Sequence, residues 1–362
     1  MNRAPKILHI IDSLGLGGAQ TVVKGIFEYQ PENMNIFLFA LRKRKILTEI
    51  KHPNVKVFNS TKKYSLLPII ELRDLIKKEN INILHCHLFR SNIFGVFLKL
   101  IWFNKIKLII HEHGGIVEDG FLYRLFLKFS QRLVNFYIAV SKFINLSLVR
   151  AGVPQNKVFV VYNFVDTKKF NQNMIVGNIQ NEREKFGIPS NSFVVGFAGR
   201  LVERKGWREF LQAASVQSKQ NNYFLIAGDG IEKEKMLQEI KDLKLESKVK
   251  YIGRVSDMVW FYSLVDCFVL PSHWEGLPMT QLEVASMNLP LISAKTPGCD
   301  EIFIDNDSCL YFDVNDILDL DKKISLIKND KNFKNILIHN ANAVVQKFNL
   351  KNYLINLNKI YE

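Results

Sequence analysis

Short apolar runs alternate with longer amphipathic segments along most of the chain. An apolar run of about four to eight residues bounded by turn residues is typical of a buried strand, whereas apolar residues recurring every three to four positions are typical of a helix. In the first half the pattern predicts strands over Lys6–Asp12, Asn35–Ala40, Ile81–His85, Lys107–Ile110, Phe136–Val140 and Val158–Val161. It predicts helices over Ala19–Tyr29, Pro68–Lys78, Ser91–Phe103 and Phe143–Ala151, the last capped by Ser141.

The same alternation returns in the second half after a polar, Asn-rich segment at 167–192 that contains a short predicted helix, Glu182–Phe186. Strands are predicted over Phe193–Ala198, Tyr223–Ala227, Val249–Ile252 and Cys267–Leu270, with another beginning at Leu291. Helices are predicted over Trp207–Ser218, from Pro278 to about Asn288, and over Asn352–Tyr361. At 362 residues the chain predicts two α/β domains with parallel sheets.

Two glutamates follow the predicted strand Cys267–Leu270. Glu275 lies in the loop, and Glu283 lies eight residues further on, in the helix that Pro278 opens. The first amides of that helix form a site for a phosphate or sugar oxygen, and they belong to Leu277, Met279 and Thr280. Glutamate near a helix start also complements the helix dipole without any ligand. The spacing therefore indicates an anion site between two carboxylates only together with other stretches.

Other strand ends of the second half carry glycine and basic residues. Gly199 and Arg200 end the strand at 193–198, and Lys205 follows before the next helix, so the two cations are placed to hold a diphosphate from two sides. A solvated basic loop is the alternative. Gly228-Asp229-Gly230 and Gly253-Arg254-Val255 end the next two strands and indicate a slot for a flat base.

The first predicted strand leads into a glycine-rich turn, Ser13–Gly18, and then a helix. This order lets backbone approach a ligand closely. A dinucleotide fingerprint fits poorly, because Gln20 stands where its third glycine belongs and the second strand ends in Arg42 without an acid for a ribose.

Histidines gather at the ends of two predicted strands. His111-Glu112-His113-Gly114 follows Lys107–Ile110, and His85 and His87 point to the same crevice. A hydrogen-bonding role toward a substrate is predicted for this group, with a satisfied structural histidine as the alternative for His85. His111 and His113 are possible metal ligands, but no third ligand has supporting spacing.

The excess of positive over negative charge lies entirely in the first half. Residues 1–165 hold 24 Lys and Arg against 10 Asp and Glu, whereas residues 166–362 hold 25 of each. Two aromatic segments, Phe89–Phe103 and Phe121–Tyr137, lie among these basic residues. The combination predicts contact with an anionic membrane surface, although each segment alone also fits a buried core helix with a solvated basic face. Nucleic acid is the rival partner, and no binding motif for it is present.

The compartment is predicted from what interrupts the apolar runs and from the cysteines. Charged residues break every apolar stretch before the ~18 residues of a spanning helix, and no signal peptide is visible. Cys86, Cys267, Cys299 and Cys309 lack metal-ligand or CxxC spacing, so free thiols in a reducing compartment are expected. These features predict a cytoplasmic protein, peripheral at the inner membrane face.

Five stretches taken together resemble the retaining GT-B glycosyltransferases of family 4. They are Gly17-Gly18-Ala19-Gln20, His113-Gly114, Gly199-Arg200-Leu201 with Lys205-Gly206, Gly228-Asp229-Gly230, and Glu275 with Glu283 in Glu-x7-Glu spacing. The resemblance covers nearly the full chain. It implies two Rossmann-like domains facing across a cleft, and a C-terminal helix that crosses back to the first domain. The domains expected are 1–166 for the acceptor, 167–345 for the nucleotide sugar, and 346–362 for that helix.

The resemblance also implies a role for each matching residue. Catalytic roles go to His113 at the transferred sugar, Arg200 and Lys205 at the donor diphosphate, and Glu275 at the donor sugar. Donor binding goes to Glu283 at the ribose and to Gly17, Gly18, Gly199, Arg254, Val255, Leu277, Pro278, Met279 and Thr280. The chain departs from the family pattern at two places. Gln20 stands where many members have glutamate, and His111 lies so near His113 that either histidine can take the family role, His113 being favoured because it directly precedes Gly114.

The predicted activity is retaining transfer of a sugar from a nucleotide sugar to a lipid-linked or cell-surface glycan, in polysaccharide biosynthesis. The resemblance favours a UDP-sugar, with a GDP-sugar as the alternative. The resemblance implies that no metal and no cofactor are needed. The alternatives are a transferase with a soluble acceptor and a non-catalytic binder of sugar nucleotides or nucleic acid.

Overall fold

The chain forms two compact units. The structure, a computed structural model, describes residues 5–15, 17–29, 35–44, 50–62, 65–114 and 120–362. The first unit comprises residues 1–164 together with 350–362, and the second comprises 165–349. Leu16 of the predicted glycine turn lies outside the described residues.

The first unit is built on a parallel sheet. Its described strands are β1 (Ile7–Ile11), β2 (Ile36–Ala40), β3 (Val55–Val57), β4 (Ile83–His87), β5 (Lys107–Glu112), β6 (Phe136–Ala139) and β7 (Val158–Val160). The spatial order is β3-β2-β1-β4-β5-β6-β7. The described helices are α1 (Gly18–Tyr29), α2 (Pro68–Glu79), α3 (Phe89–Ile101), α4 (Gly120–Ser130) and α5 (Lys142–Arg150). The strand order reverses between β1 and β4, because the chain passes from β2 and β3 back to β4 on the other side of β1. In open α/β sheets, ligands bind beyond the carboxyl ends of the strands at such a switch point.

The strand predictions for this unit need two corrections. β4 covers Ile83–His87 instead of Ile81–His85, and β5 runs on through His111 and Glu112. His87 and His111 are therefore in the sheet and not in the loops after it. Polar residues at a strand end suggest a loop, but these imidazoles hydrogen-bond to one another and are buried.

A second parallel sheet organises the second unit. Its strands are β8 (Phe193–Arg200), β9 (Asn222–Asp229), β10 (Val249–Tyr251), β11 (Cys267–Leu270), β12 (Leu291–Ala294) and β13 (Leu310–Phe312), in the order β10-β9-β8-β11-β12-β13. Its helices are α6 (Ile179–Lys185), α7 (Trp207–Val216), α8 (Lys233–Asp242), α9 (Met258–Ser263), α10 (Met279–Ser286), α11 (Ile317–Asn329) and α12 (Lys331–Val345). Here the order reverses between β8 and β11.

Helices cover both faces of this second sheet. Successive residues of one strand enter different cores: Phe268 and Leu270 of β11 pack in one hydrophobic cluster, and Cys267 and Val269 pack in the other. Side chains of a strand alternate between faces, so a strand buried on both sides reads as a continuous apolar run. This explains why the apolar run over β11 predicted the strand correctly.

The predicted final helix is present as α13 (Leu350–Tyr361) and packs on the first unit. It contacts α1, and Lys107 Nζ donates to the carbonyl oxygen of Tyr361 at 2.8 Å. The four cysteines are buried free thiols. In the described part of the chain, no helix combines the length and apolar character needed to cross a bilayer.

Candidate active site

The switch point of the second sheet brings together residues that are far apart in sequence. β8 and β11 are neighbours, with Val195 in register with Cys267. The loops that follow them therefore meet at one edge of the sheet. The loop after β8 carries Lys205, and the loop after β11 carries Glu275. Both lie where open α/β sheets bind ligands.

Lys205 and Glu275 form a largely buried ion pair in which Lys205 Nζ donates to Glu275 Oε1. The side chains are 18% and 9% exposed. Burial opposes ionisation of Glu275, but the Lys205 ammonium outweighs it, with help from Arg204, so the pKa of Glu275 is lowered from its usual 4.5. Glu275 is consequently an anion at neutral pH, held between two cations.

Glycines of two neighbouring loops pack against the loop that carries Glu275. Gly206 has φ +71°, and a Cβ on it would lie 1.9 Å from the carbonyl oxygen of Pro271. Gly298 has φ +78°, and its Cβ would lie 2.1 Å from the carbonyl oxygen of Glu275. Only glycine avoids both the left-handed strain and the clash. The loop backbone at Glu275 is thus held closely from two sides.

Glu283 lies in the next helix with a different environment. Its Oε2 accepts a 2.7 Å hydrogen bond from the hydroxyl of Tyr262 in α9. Burial raises the pKa of Glu283, although the Tyr262 hydrogen bond opposes the rise. The two glutamates of the pair therefore differ in character, since Glu275 is ion-paired and Glu283 accepts from a neutral hydroxyl. Such a carboxylate is suited to accept hydrogen bonds from sugar hydroxyls.

The helix that carries Glu283 starts one residue later than predicted. Pro278 has extended backbone and is the N-cap of α10, which begins at Met279. The amides of Met279 and Thr280 lie in its first turn, where no intrahelical carbonyl precedes them. Leu277 is buried before the cap. The positions predicted to hold a phosphate or sugar oxygen are thus assembled at one helix N-terminus.

The remaining predicted residues of this unit lie on neighbouring strand ends. Arg200 ends β8 and is exposed, and among the described residues it has no ion-pair partner. Gly199 approaches Gly228 of β9 so closely that a Cβ on Gly228 would lie 1.9 Å from the Gly199 carbonyl oxygen. Arg254 forms an exposed ion pair with Asp229. The structure therefore leaves the Arg200 guanidinium open to solvent and commits that of Arg254 to Asp229.

Val255, next to Arg254, is partly buried against one of the two cores of this unit.

A residue that the sequence reasoning missed lies beside Lys205. The guanidinium of Arg204 stacks 4.4 Å from the ring centroid of Trp274, and its Nη1 lies 3.5 Å from Glu275 Oε2. The sequence signal was present, because Arg204 and Lys205 are adjacent and Trp274 precedes Glu275. We therefore add Arg204 and Trp274 to the candidate site.

The first unit places its glycine turn at its own switch point, after β1. Gly17 precedes α1, and its carbonyl oxygen accepts from the Thr21 amide at 3.0 Å. The Gln20 side chain folds back on this turn, donating to the Ser13 carbonyl oxygen at 3.2 Å. Its Oε1 lies 2.6 Å from the position that a Cβ on Gly17 would occupy. Gln20 therefore braces the turn, while Gly18 is exposed.

His113 belongs to a cluster of histidines at the same sheet edge. His87 Nδ1 and His113 Nε2 are 3.1 Å apart, and His111 stacks on His113 with ring centroids 4.2 Å apart. His111 is fully buried in β5, whereas His113 follows the strand and is partly exposed. Of the two, His113 is therefore the residue that reaches the surface.

The buried members of the cluster are neutral at physiological pH. Burial lowers the pKa of His9 to about 3. Burial, with a smaller contribution from the neighbouring imidazoles, lowers the pKa values of His85, His87 and His111 well below 6.5. The sequence reasoning missed His9, because only the register of β1 with β4 places it opposite His85.

Comparisons with known proteins agree with this geometry. The family profile "Glycosyl transferases group 1" matches residues 178–344, and "Glycosyltransferase Family 4" matches residues 16–169. The chain is a GT-B glycosyltransferase. It is 28% identical over 251 residues to the O-antigen biosynthesis glycosyltransferase WclY of Escherichia coli, covering 67% of this chain and 68% of WclY.

Two whole-length similarities accompany these profiles. The transferase is 25% identical over 382 residues to the Escherichia coli UDP-Gal:alpha-D-GlcNAc-diphosphoundecaprenol alpha-1,3-galactosyltransferase, covering 98% of this chain and 96% of that one. The crystal structure of Anabaena HepE in complex with UDP-glucose superposes with a TM-score of 0.84 at 19% identity, covering 98% and 99% of the two chains. Relatives thus act in polysaccharide biosynthesis, and the GT-B fold extends over the whole chain.

Proposed function

We propose that the protein is a retaining glycosyltransferase that moves a sugar from a UDP-sugar to a lipid-linked glycan at the inner face of the membrane. The observation that carries the proposal is the pairing of Lys205 with Glu275 at the β8–β11 switch point, with Glu283 one helix further on. This arrangement places one cation that can bind phosphate and two carboxylates that can accept hydrogen bonds from hydroxyl groups at the same end of the second sheet.

The charges at this end of the sheet suit the diphosphate and the ribose of a nucleotide sugar. Lys205 and the open guanidinium of Arg200 supply positive charge for a diphosphate, and the N-terminus of α10 supplies amides. Glu283 accepts hydrogen bonds from the ribose hydroxyls. A UDP-sugar is supported by the name of the galactosyltransferase relative and by the UDP-glucose bound to HepE.

The reaction step is an electrostatic one. As the bond from the anomeric carbon to the diphosphate breaks, negative charge grows on the leaving oxygen, and cations already in place stabilise it. Lys205 and Arg200 take this role. The acceptor hydroxyl attacks from the same face and passes its proton to the departing phosphate oxygen, which gives retention. Glu275 contacts the transferred sugar.

A lipid-linked acceptor is supported by a surface of the first unit. The helix α4 exposes large apolar and basic side chains together: Phe121, Leu122, Leu125, Phe129, Arg124 and Lys128. Phe121 and Phe129 are 76% and 73% exposed, and they share one helix face because they are eight residues apart. Apolar side chains beside basic ones suit an anionic leaflet, where they insert between headgroups.

Donor use is tested by a thermal-shift panel of UDP, GDP, ADP and their sugar conjugates. A ligand bound only by the folded state adds roughly 2.7 kcal/mol at a hundredfold excess over its Kd. We expect a shift with UDP that increases with one attached sugar. Lys205→Met and Glu283→Gln should abolish the shift, and Lys323→Met is the matched control because its side chain is 17% exposed and paired with Asp319.

The assay of transfer itself uses the donor so found with a polyprenyl-diphosphate sugar acceptor, and NMR of the product reads the anomeric configuration. Retention of configuration is expected, and inversion would contradict the mechanism. A shift with none of the nucleotides, with or without anionic vesicles, would overturn the donor assignment.

Membrane contact is tested separately by flotation with phosphatidylglycerol-containing vesicles. The wild-type chain should float at low salt and less at high salt. The double variant Phe121→Ser, Phe129→Ser should stay at the bottom, and Leu318→Ser, an equally exposed site of the second unit, should float normally. Equal flotation of all three would show that α4 is not the membrane contact, and failure of the wild-type chain to float would assign the acceptor to the soluble class.

A further inference from the structure

The first unit contains a hydrogen-bonded cluster that the transfer reaction does not account for. This histidine cluster consists of His9, His85, His87, His111, His113 and Tyr361. Its members come from β1, β4, the end of β5 and α13, so four separate parts of the sequence meet there.

At the open edge of the cluster three imidazoles converge. One ring nitrogen from each of His87, His111 and His113 lies within 4.8 Å of the others. Two of these nitrogens, His87 Nδ1 and His113 Nε2, are 3.1 Å apart. Two nitrogens bound to one tetrahedral zinc ion at 2.0–2.1 Å lie about 3.3 Å apart, so this pair is already close to the spacing of ligands.

His111 carries a buried ring nitrogen that makes no hydrogen bond to the described residues. Its Nε2 atom is fully buried and has no hydrogen-bond partner among the described residues. A buried polar atom left without a partner is destabilising. The other ring nitrogen, Nδ1, faces His85 Nε2 at 3.1 Å. If Nδ1 donates to His85, Nε2 carries a bare lone pair that accepts no hydrogen bond from the described residues.

The remaining members fit the role of an outer layer that orients metal ligands. When His111 donates through Nδ1 to His85, His85 in turn donates through Nδ1 to the Tyr361 hydroxyl oxygen at 2.7 Å. When His87 offers Nδ1 as a ligand, its Nε2 donates to His9 Nδ1 at 3.0 Å. Metal-bound histidines nearly always donate their second ring nitrogen in this way.

The chemistry of the donors selects the class of ion. The three ligands are neutral nitrogens, and the adjacent carboxylate of Glu112 is engaged by the Gly114 amide at 3.0 Å and by the Tyr123 hydroxyl at 2.5 Å. Imidazole sets suit Zn²⁺, Co²⁺, Ni²⁺ and Cu²⁺, whereas Mg²⁺, Ca²⁺ and Mn²⁺ prefer oxygen ligands. His113 is partly exposed, which gives the ion a path from solvent.

We propose that His87, His111 and His113 form a binding site for a divalent transition-metal ion of the zinc class. Three histidines leave one tetrahedral position for water or a substrate oxygen. Spacing along the sequence offered no third ligand for His111 and His113, because His87 is brought to them only by the pairing of β4 with β5, in which His87 lies opposite His111. This site is independent of the proposed donor, since it lies in the first unit and its test needs no sugar transfer.

The test is Co²⁺ binding by the full-length chain after removal of metal with a chelator. We expect stoichiometric binding with visible d–d absorption, displaced by Zn²⁺, and metal content by mass spectrometry should agree. His113→Ala should abolish the absorption, and Tyr361→Phe should weaken binding roughly ten- to a hundredfold, as loss of an outer partner does. His339→Ala, which removes an exposed histidine of α12, is the matched control.

Variants that fail to fold are recognised by circular dichroism, and His87→Asn then serves as a second ligand variant. The proposal is overturned if the wild-type chain binds no Co²⁺. It is also overturned if folded His113→Ala and His87→Asn both bind Co²⁺ as the wild type does, or if His339→Ala loses binding equally. In those cases the histidine cluster is only a hydrogen-bonded chain.

Discussion

Gly206 joins the ion-paired Lys205 to the start of α7, and its replacement by alanine allows a quantitative test of the site's construction. Two costs are expected. A residue with a side chain at φ +71° is strained by roughly 1–2 kcal/mol. The new Cβ also meets the backbone carbonyl oxygen of Pro271 at 1.9 Å, which no side-chain rotation relieves, and such overpacking costs about 1–3 kcal/mol.

Gly187 provides the matched control for this change. Its φ is +67°, and its nearest neighbour is the flexible tip of Lys250 at 4.0 Å. Gly187→Ala should therefore cost only the strain of about 1–2 kcal/mol. Gly206→Ala should cost about 2–5 kcal/mol, so the difference between the two variants measures the contact with Pro271.

The assay is urea unfolding followed by tryptophan fluorescence in a Trp102→Phe background. The remaining tryptophans, 207, 260 and 274, all lie in the second unit, so the signal reports that unit alone. With a slope of about 3 kcal/mol per molar urea, a 3 kcal/mol loss moves the midpoint by about 1 M. Equal midpoints for Gly206→Ala and Gly187→Ala would refute the reasoning.

Further predictions concern the carboxylates. Lys205→Met should destabilise the second unit by about 3 kcal/mol at pH 7, because it removes the nearer of the two cations that hold the buried Glu275 carboxylate. The pKa of Glu275 is lowered in the folded chain, so the ion pair contributes stability above pH 4.5 that is lost as the pH falls through the lowered pKa. The difference in unfolding free energy between the wild type and Lys205→Met should therefore shrink when unfolding is measured at acidic pH. Tyr262→Phe should raise the pKa of Glu283 further and move the acidic limb of the kcat/KM profile to higher pH; an unmoved limb would separate Tyr262 from the site. Arg254→Ala removes an exposed ion pair and should change the free energy of unfolding by at most about 1 kcal/mol, with a larger loss indicating a structural role.

The sequence predicted best what depends on neighbours along the chain. The strand over Cys267–Leu270, the loop with Glu275 and the helix with Glu283 are all present, because apolar runs and helix starts are local signals. β3 escaped prediction, since Val55–Val57 is a three-residue edge strand without a fully buried residue. α8 also received no prediction, although its apolar positions Met236 and Ile240 are buried with helical spacing.

The histidine cluster shows why other features could not be predicted. His9, His87 and His113 are separated by 78 and 26 residues, and they meet only through the register of three strands. No local sequence pattern determines the register between strands that are distant in the chain. The partner of Glu283 was missed for the same reason, because Tyr262 lies on a helix that the sequence pattern did not reveal.

The packing of α13 on the first unit determines when that unit is completed during synthesis. Tyr353, Leu357 and Ile360 are buried in it, so residues 1–164 lack part of their own core until the ribosome has added the whole second unit and residue 361. At about 5–20 residues per second, the nearly 200 intervening residues take roughly 10–40 s to synthesise. Throughout this interval the first unit exposes the apolar surface that α13 will cover, which makes it a client for chaperones, whereas the second unit has its entire sequence available before α13 is made.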